Sequence, residues 1–252
     1  MDKQPVFFCV CSQKGGVGKS TFTILLANWL HYALGRDVLV VDCDAPQWSI
    51  VAQRERELDV LERNDRYKLM MVRLFKRTGR KIWPVVRSTP YEGLQAARAY
   101  LAAGDREADF VRLDLPGTVA APGIFRLLAR LDHLFIPLKA DKLVLESALS
   151  FARAVDERLV HNDAHRLKGL HLFWTMVDRR ERTPLYESYG KAFAAFRLPV
   201  LQTQVPYRSR FSKEILDTSG AVGRSTLFPA DRAFAADAAL DALAAEILSL
   251  ME

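Results

Sequence analysis

The stretch Gln13-Lys14-Gly15-Gly16-Val17-Gly18-Lys19-Ser20-Thr21 decides the fold of this 252-residue chain. An apolar run of strand length, residues 6–11, precedes it, and an apolar-rich stretch of helical length, residues 20–34, follows it. Backbone N–H groups that lead into the start of a helix attract anions, because the free amides and the helix dipole both favour negative charge. Strand, glycine-rich loop and helix in this order therefore predict a phosphate-binding loop.

The residue types in this loop divide the work of holding a nucleotide. Glycines leave the backbone bare, Lys19 is expected to reach the β- and γ-phosphates, and the Ser20 hydroxyl is expected to bind Mg²⁺. Two features depart from the usual loop: Gln13 replaces its first glycine, and a second lysine, Lys14, stands five positions before Lys19. The expected nucleotide-binding residues are those of the loop and the first helical turn: Gly15, Gly16, Val17, Gly18, Lys19, Ser20 and Thr21.

Length and composition limit the class of protein. Half of the residues are apolar, so the chain can build a full core, and one α/β domain over residues 1–252 is expected. No apolar run reaches the ~18 residues of a membrane span, and the first residues lack the pattern of a signal peptide, so we expect a cytoplasmic protein. The three cysteines, all within the first 43 residues, are expected to be buried thiols.

Apolar runs alternate with helical stretches along the chain. The runs with strand character lie near residues 6–11, 37–42, 82–87, 109–114, 133–138, 169–177 and 199–205. This alternation predicts βα units and therefore a single doubly wound, mostly parallel sheet flanked by helices. Pro84 cannot donate to a strand ladder, so we expect the third run to lie at an edge of the sheet or to begin after this proline.

Two of these runs end in aspartates where a parallel sheet presents its strand ends to a ligand. After the second run, Asp44 is expected to orient an attacking water, and Asp42 to support the metal and the loop. Asp114 ends the run 109–114 and is expected to bind Mg²⁺, while Gly117 lies in a following turn able to sense a γ-phosphate. For Asp42 and Asp44, the alternative is that they only end a strand and cap the turn that follows.

The positive charge of the chain, +6 in total, is concentrated in residues 63–87, which contain nine basic residues and one acid. On a helix, one face of this segment carries a basic stripe, with Arg66 nearby: Arg73, Lys76, Arg77 and Arg80. The opposite face carries the apolar residues Tyr67, Met70, Met71, Leu74 and Phe75. A basic stripe predicts non-specific, salt-sensitive DNA binding. A solvated helix face and a membrane-surface helix are the alternatives.

The order of these motifs resembles that of the ParA/MinD family of deviant Walker A ATPases, in particular the ParA-like proteins of conjugative or mobile elements. The stretches that carry the resemblance are residues 14–20, 41–47, 114–117, 136–138, 174–178 and 205–210. The resemblance implies an ATP- and Mg²⁺-dependent ATPase that forms a homodimer when ATP is bound. Lys14 then reaches the phosphates held by the other subunit, so Lys14, Lys19 and Asp44 are the expected catalytic residues. Ala45, which interrupts the family's Asp-x-Asp-Pro-Gln, departs from the pattern.

The resemblance also implies surfaces for the base, DNA and a protein partner. Family members hold adenine between the loops after the sixth and seventh strands, which are represented here by Met176, Asp178, Pro206 and Tyr207. DNA-binding members place basic residues after the last strand and before the final helix, which are represented here by Arg208, Arg210, Lys213 and Arg232. A ParB-like or other adaptor protein that activates the ATPase, and a place on the nucleoid, follow from the same resemblance.

Other functions use the same loop. A MinD-like regulator binds membrane through a basic C-terminal helix, whereas the tail from residue 233 is amphipathic but acidic and is expected to pack on the sheet. Iron–sulfur relatives need cysteines later in the chain, and none follows Cys43. An amidoligase relative is a further alternative and requires a carboxylate substrate. DNA is therefore the expected partner, and membrane is not.

Overall fold

Six parallel strands form the centre of this computed structural model, which describes residues 4–104, 107–117, 123–178, 180, 183–215 and 222–252. The strands are β1 (Val6–Val10), β2 (Val38–Asp42), β3 (Val85–Arg87), β4 (Phe110–Asp114), β5 (His133–Leu138) and β6 (Gly169–Trp174). Their order across the sheet is β3-β2-β4-β1-β5-β6, and every neighbouring pair is parallel. The predicted α/β fold with a doubly wound sheet is confirmed.

Helices connect the strands and cover both faces of the sheet. In chain order the helices of the described residues are α1 (Lys19–Asn28), α2 (Ser49–Arg63), α3 (Asp65–Thr78), α4 (Gly93–Ala103), α5 (Ile124–Leu128), α6 (Lys142–Val155), α7 (Leu185–Ala195), α8 (Arg232–Asp237) and α9 (Leu240–Met251). A π-helical turn, Trp29–Ala33, extends α1, so the helical stretch predicted for residues 20–34 changes its geometry after Asn28.

Successive strand residues point to opposite faces of the sheet, which gives the molecule a hydrophobic core on each side. Phe7 and Cys9 of β1 pack with α4, α5, α6 and α7 on one side. Phe8 and Val10 pack with α1, α2, α8 and α9 on the other. Helix α9 buries its apolar face in this second core, as predicted for the acidic tail. The three cysteines are all buried, as expected.

The strand predicted at residues 199–205 is wrong, because this segment does not join the ladder as a strand. It runs beside β6 with single backbone hydrogen bonds from Leu201 and Val205, and it forms one isolated parallel bridge, Val200 with Leu172. The N–H groups of Gln202 and Thr203 donate instead to the Glu246 carboxylate of α9, at 2.7 and 2.9 Å. At the other edge β3 begins after Pro84, as the missing N–H of proline predicted.

Helix α2 is tied to the segment before α8 through a buried carboxylate. Glu57 accepts hydrogen bonds from the Ser225 hydroxyl at 3.0 Å and from the Thr226 N–H and hydroxyl, both at 2.7 Å. The Gln53 side-chain amide donates to the other carboxylate oxygen of Glu57 at 2.8 Å. Arg54 donates to the Thr226 carbonyl, also at 2.8 Å. A buried network with its acceptors filled is costly to break, so residues 225–226 are held firmly against α2.

Candidate nucleotide site

The glycine-rich loop lies between β1 and α1 at the carboxyl edge of the sheet. Gly16 and Gly18 have positive φ angles of 74° and 93°, which only glycine adopts without strain. Gly18 is the N-cap of α1, so the loop leads directly into the helix start. The Lys19 ammonium lies 3.4 Å from the Lys14 carbonyl oxygen and therefore folds back over the loop. This geometry is that of an anion seat.

Ser20 and Asp114 meet at the centre of the site. The Ser20 hydroxyl donates to Asp114 Oδ2 at 2.7 Å, and the Thr23 hydroxyl donates to Oδ1 at 2.9 Å. Asp114 is fully buried, and burial raises its pKa to about 6 despite these two hydrogen bonds. Sequence reasoning missed Thr23; its signal was its position three residues after Ser20, on the neighbouring turn of the same helix.

The pair formed by Ser20 and Asp114 fits Mg²⁺. A hydroxyl and one carboxylate provide few protein ligands, and Mg²⁺ characteristically keeps its waters and takes the remaining oxygens from phosphates. Within the described residues no group of three or more histidine, cysteine, aspartate or glutamate side chains is arranged to hold a metal. The donor set therefore suits a metal that arrives with a polyphosphate rather than one caged by the protein.

Asp42 and Asp44 have different surroundings at the end of β2. Asp42 is buried and accepts the N–H groups of Ile50 and Val51 at 2.9 and 3.0 Å, at the start of α2. Burial raises its pKa, and these hydrogen bonds partly oppose the shift. Asp44 is partly exposed; burial raises its pKa, and the positive charge of Lys19 lowers it. Asp42 thus supports the loop, while Asp44 is free to face a ligand beside Lys19.

The additional residue Ala45 is accommodated in a tight turn. The N–H groups of Gln47 and Trp48 both donate to the Asp44 carbonyl at 2.8 Å. Trp48 then adopts a left-handed φ of 39° and anchors the turn through its indole N–H, which donates to the Ser88 carbonyl at 2.8 Å. The Arg87 guanidinium lies 3.4 Å from the Trp48 ring centroid. The departure from the family motif therefore leaves the Asp44 loop well anchored.

The turn after β4 closes over the phosphate loop at Gly117. A Cβ at this position would lie 3.4 Å from Lys19 Nζ and 4.0 Å from the Gly15 backbone nitrogen. The glycine therefore lets this turn approach both groups closely. Gly117 lies where the sequence placed it, beside the group expected to bind phosphate.

The two loops predicted to hold the base are adjacent. The Val177 N–H donates to the Val205 carbonyl, and the Tyr207 N–H donates to the Val177 carbonyl, both at 3.0 Å. These bonds pair Val177 with Pro206, so Met176 lies next to this bridge, and Tyr207 is 58% exposed. The Asp178 carboxylate pairs with Arg180 at 3.0 Å, which lowers its pKa to about 2. Asp178 is therefore engaged by a neighbour and is not directed freely at a base.

Arg224 is a site residue that sequence reasoning did not identify. Its guanidinium donates to the Thr21 hydroxyl at 3.2 Å, on the first turn of α1, and to Glu214 at 2.8 Å. No local motif marks this arginine, because about two hundred residues separate it from Thr21. Thr21 thus faces Arg224, on the side of α1 away from Asp114.

Lys14 differs from the other loop residues. Its backbone N–H donates to the Ser12 hydroxyl at 3.3 Å, but its side chain is exposed and forms no hydrogen bond or ion pair with any described residue. Lys19, in contrast, lies beside Asp44 and Gly117 in the same subunit. Of the two lysines in the loop, Lys19 therefore points into the site, whereas the Lys14 side chain has no partner among the described residues.

A glycine-rich loop at the end of β1, with carboxylates at the ends of β4, which pairs with β1, and of β2, which pairs with β4, defines a P-loop nucleotide-binding protein. The CobQ/CobB/MinD/ParA nucleotide-binding domain model matches residues 8–221, and the chain belongs to this family. It is thus a nucleotide-binding protein of the ParA/MinD ATPase family.

Known proteins resemble this chain in sequence or in fold. The chain is 28% identical to the chromosome-partitioning ATPase Soj of Thermus thermophilus over 222 residues, covering 73% of this chain and 86% of Soj. A plasmid partition protein from Borrelia burgdorferi has the same fold, with a TM-score of 0.53 and 20% identity over 82% of this chain and 91% of that protein. The structure of pNOB8 ParA bound to nonspecific DNA gives a TM-score of 0.51 and 18% identity, over 79% of each chain.

The basic residues predicted to contact DNA fall into two groups. Three are engaged within the chain: Arg80 lies beyond the end of α3 and pairs with Asp37 at 2.8 Å, Arg208 pairs with Asp237 at 2.6 Å, and Arg210 lies 4.6 Å from the Phe234 ring centroid. The others are exposed, with side chains that form no hydrogen bond or ion pair to described residues: Arg73, Lys76, Arg77, Lys213 and Arg232.

Helix α3 also corrects the predicted division into an apolar and a basic face. Tyr67 and Leu74 are buried as expected, but Phe75 is 48% exposed. Leu69 and Val72, outside the predicted apolar face, are 50% and 49% exposed. The sequence did not reveal which arc of the helix meets the rest of the molecule. Among the described residues, no helix is long and apolar enough to cross a bilayer.

Proposed function

We propose that this protein is an ATP-driven dimerisation switch that binds DNA without sequence preference and partitions or positions a plasmid, mobile element or other cargo. The observation that carries the proposal is the free, exposed side chain of Lys14 at the phosphate loop. A lysine without a partner in the described part of its own subunit is available to phosphates held by a second copy. A cation supplied in this way neutralises the transferring phosphoryl group only in the dimer, which couples hydrolysis to assembly.

The remaining roles fall on residues that lie close together in one subunit. When bound, MgATP supplies the phosphoryl group that is transferred to water. Lys19 and the loop amides hold its phosphates, Ser20 and Asp114 hold the metal, and Asp44 orients the attacking water. The short distance from Ser20 to Asp114 and the charge of Lys19 beside Asp44 support these assignments.

The exposed cations and the partition relatives support the DNA part of the proposal. Soj is a chromosome-partitioning ATPase, and pNOB8 ParA is known bound to nonspecific DNA. Unpaired cations neutralise phosphates without reading sequence. The exposed residues proposed to contact duplex DNA are Arg73, Lys76, Arg77, Lys213 and Arg232. A cytoplasmic, nucleoid-associated location and an activating adaptor protein belong to the same proposal.

DNA binding measured without nucleotide, with ADP and with ATP tests the switch. Retention of a duplex should require ATP and fall steeply between low and physiological salt, because counterions compete for the phosphates. Lys14→Ala should abolish the ATP-dependent retention by preventing loaded dimers. Lys168→Ala is the control, because it removes an exposed lysine just before β6, at the amino ends of the strands and away from the phosphate loop. Equal binding with ADP and with ATP would contradict the switch.

A second candidate function is a MinD-like, membrane-cycling regulator, favoured by one specific observation. Leu69, Val72 and Phe75 are about half exposed on successive turns of α3, and Arg73 and Lys76 lie among them. Exposed apolar side chains beside cations are typical of a helix that lies in a membrane interface.

Flotation with vesicles of phosphatidylglycerol and phosphatidylcholine separates the two functions. The membrane function predicts ATP-dependent flotation that is lost in the Val72→Ser, Phe75→Ser double variant. Leu58→Ser is the control, because it changes a partly exposed leucine on α2. No flotation on these anionic vesicles would end this second candidate and leave the DNA function as it stands.

A further inference from the structure

A groove lies on the outer side of α1, at the end of the helix away from the phosphate loop. It has a volume of about 940 Å³ and is bounded by the second half of α1 with its π-helical turn, by α3, and by residues 228–232 with α8. Apolar side chains line its floor: Leu25, Met70, Leu74, Phe228 and Ala235. Leu25 is six residues after Lys19, so the groove begins about 9 Å along α1 from the nucleotide site.

Four arginines line the groove from two sides. Arg66, Arg73 and Arg77 come from α3, and Arg232 comes from the start of α8. Their side chains are exposed and form no ion pair or hydrogen bond with the described residues. From the sequence, the basic stripe on α3 and the basic residues before the final helix were predicted as two separate surfaces. The structure places members of both on one groove.

Among the described residues, two acidic side chains line the groove, and each accepts a hydrogen bond. Asp231 caps α8 by accepting the Phe234 N–H at 3.2 Å. Asp241 accepts the Trp29 indole N–H at 3.0 Å. Four arginines against two carboxylates leave these lining residues with a net positive charge, so the expected ligand is an anion.

The anion must be extended. Arg66 and Arg77 are eleven residues apart on α3, which corresponds to about 16 Å along the helix axis. One phosphate or carboxylate cannot reach both of them. A ligand that uses the whole row therefore carries several negative groups in a chain.

The groove also contains an aromatic surface. Trp29 and Tyr32 come from the π-helical turn, and both are partly exposed. Their rings are fixed by hydrogen bonds, Trp29 to Asp241 and Tyr32 to the Leu227 carbonyl, each at 3.0 Å. A fixed aromatic surface flanked by cations is the combination with which proteins hold an unpaired nucleic-acid strand.

We propose that this groove binds single-stranded nucleic acid, with phosphates on the four arginines and bases against Trp29, Tyr32 and the apolar floor. A duplex keeps its bases inside and presents only its backbone, so it has no use for an apolar and aromatic floor. An unpaired strand exposes both its phosphates and its bases. The inference goes beyond the proposed function, which requires only duplex DNA on an exposed basic surface.

Fluorescence anisotropy on the full-length, nucleotide-free chain tests the proposal, because all residues of the groove come from one subunit. The probes are a labelled 12-nucleotide mixed-sequence DNA strand and the corresponding 12-base-pair duplex. The strand should bind at least ten-fold more tightly than the duplex at low salt. In the Arg66→Gln, Arg73→Gln double variant its affinity should fall about ten-fold, and its salt slope should fall by about 1.4, since each single-strand phosphate contact contributes about 0.7.

Two further variants distinguish binding in the groove from non-specific attraction to positive charge elsewhere on the surface. Trp29→Ala leaves every charge in place and should weaken binding of the strand about ten-fold, because stacking is lost. Arg98→Gln removes an exposed arginine of α4 that forms no ion pair with the described residues, on the opposite face of the sheet, and should leave binding unchanged. The arginine variants are at exposed positions and provide the test even if the Trp29 variant is unstable.

The outcomes are distinct from those of the proposed function. Equal affinity for strand and duplex, or strand affinity that ignores the groove arginines, would overturn the single-strand proposal. Duplex retention that depends on ATP and on Lys14 would still support the switch. Strand binding without ATP-dependent duplex retention would support the groove and contradict the switch.

Discussion

Helix α1 has two functional ends, and their side chains are arranged in opposite ways. At the N-terminal end, Ser20 and Thr23 share the carboxylate of Asp114, and each of these side chains is hydrogen-bonded before any ligand is considered. At the other end, the arginines of the groove have no partner among the described residues. A phosphoryl-transfer site needs one fixed geometry, whereas a surface for any nucleic-acid sequence needs charge that adapts.

The largest expected effect belongs to the N-terminal end. Asp44→Asn should lower the rate of ATP hydrolysis about 100-fold, because the residue that orients the attacking water loses its charge. The turn should survive, since it is held by the Asp44 carbonyl and by Trp48. ATP affinity by equilibrium binding should change less than three-fold, and strand binding in the groove should not change. Unchanged turnover would remove Asp44 from this role.

A smaller effect is expected at Glu57, whose hydrogen bonds connect α2, which begins at the nucleotide site, to the segment that leads to the groove. Glu57→Ala leaves the buried donors of Ser225 and Thr226 without their acceptor and should reduce the free energy of unfolding by about 2 kcal/mol. Urea denaturation measures this loss. Glu55→Ala is the matched control, because it removes an exposed carboxylate from the same helix, and its effect should stay within about 0.5 kcal/mol. Equal effects of the two variants would show that the tie contributes nothing.

The smallest effect concerns pH. The folded pKa of Asp114, about 6, lies above its unfolded value, so the folded state holds this proton more tightly. Stability therefore falls as pH rises from about 4 towards 6 and levels off above the folded pKa. Between pH 5 and pH 7.5 this amounts to about 1 kcal/mol, and Asp114→Asn should abolish it. Urea denaturation in EDTA at both pH values checks this; a parallel pH dependence in the two proteins would refute it.

The nucleotide site was predictable because its residues lie in one short motif or at the ends of regularly spaced strands. A loop of nine residues fixed Lys19 and Ser20, and the rule that parallel strands end at one edge brought Asp42 and Asp114 beside them. Arg224 was not predictable in this way, because nothing in its neighbourhood records that it meets Thr21. The strand predicted at residues 199–205 failed for a similar reason, since the N–H groups of Gln202 and Thr203 at its centre donate to the distant Glu246.

The basic surface shows what charge counting cannot do. Arg80 belonged to the predicted stripe, yet it pairs with Asp37 after α3 has ended. Arg66 stood only beside the stripe and lines the groove together with Arg232. Which arginines are free depends on contacts between elements far apart in sequence. The sequence predicted the existence of a cationic surface, but its members had to come from the fold.

The tie at Glu57 has a mechanical consequence. At the start of α2, the Ile50 N–H donates to Asp42 in the nucleotide site. Further along the same helix, Glu57 accepts the N–H of Thr226, which precedes the residues that line the groove. Eight residues, about 12 Å, separate Ser49 from Glu57, so a tilt of about 5° at the first point moves the second by about 1 Å. The α2 helix thus forms a rigid link, and the loop that carries Asp44 cannot be displaced far without shifting the segment that leads to Arg232.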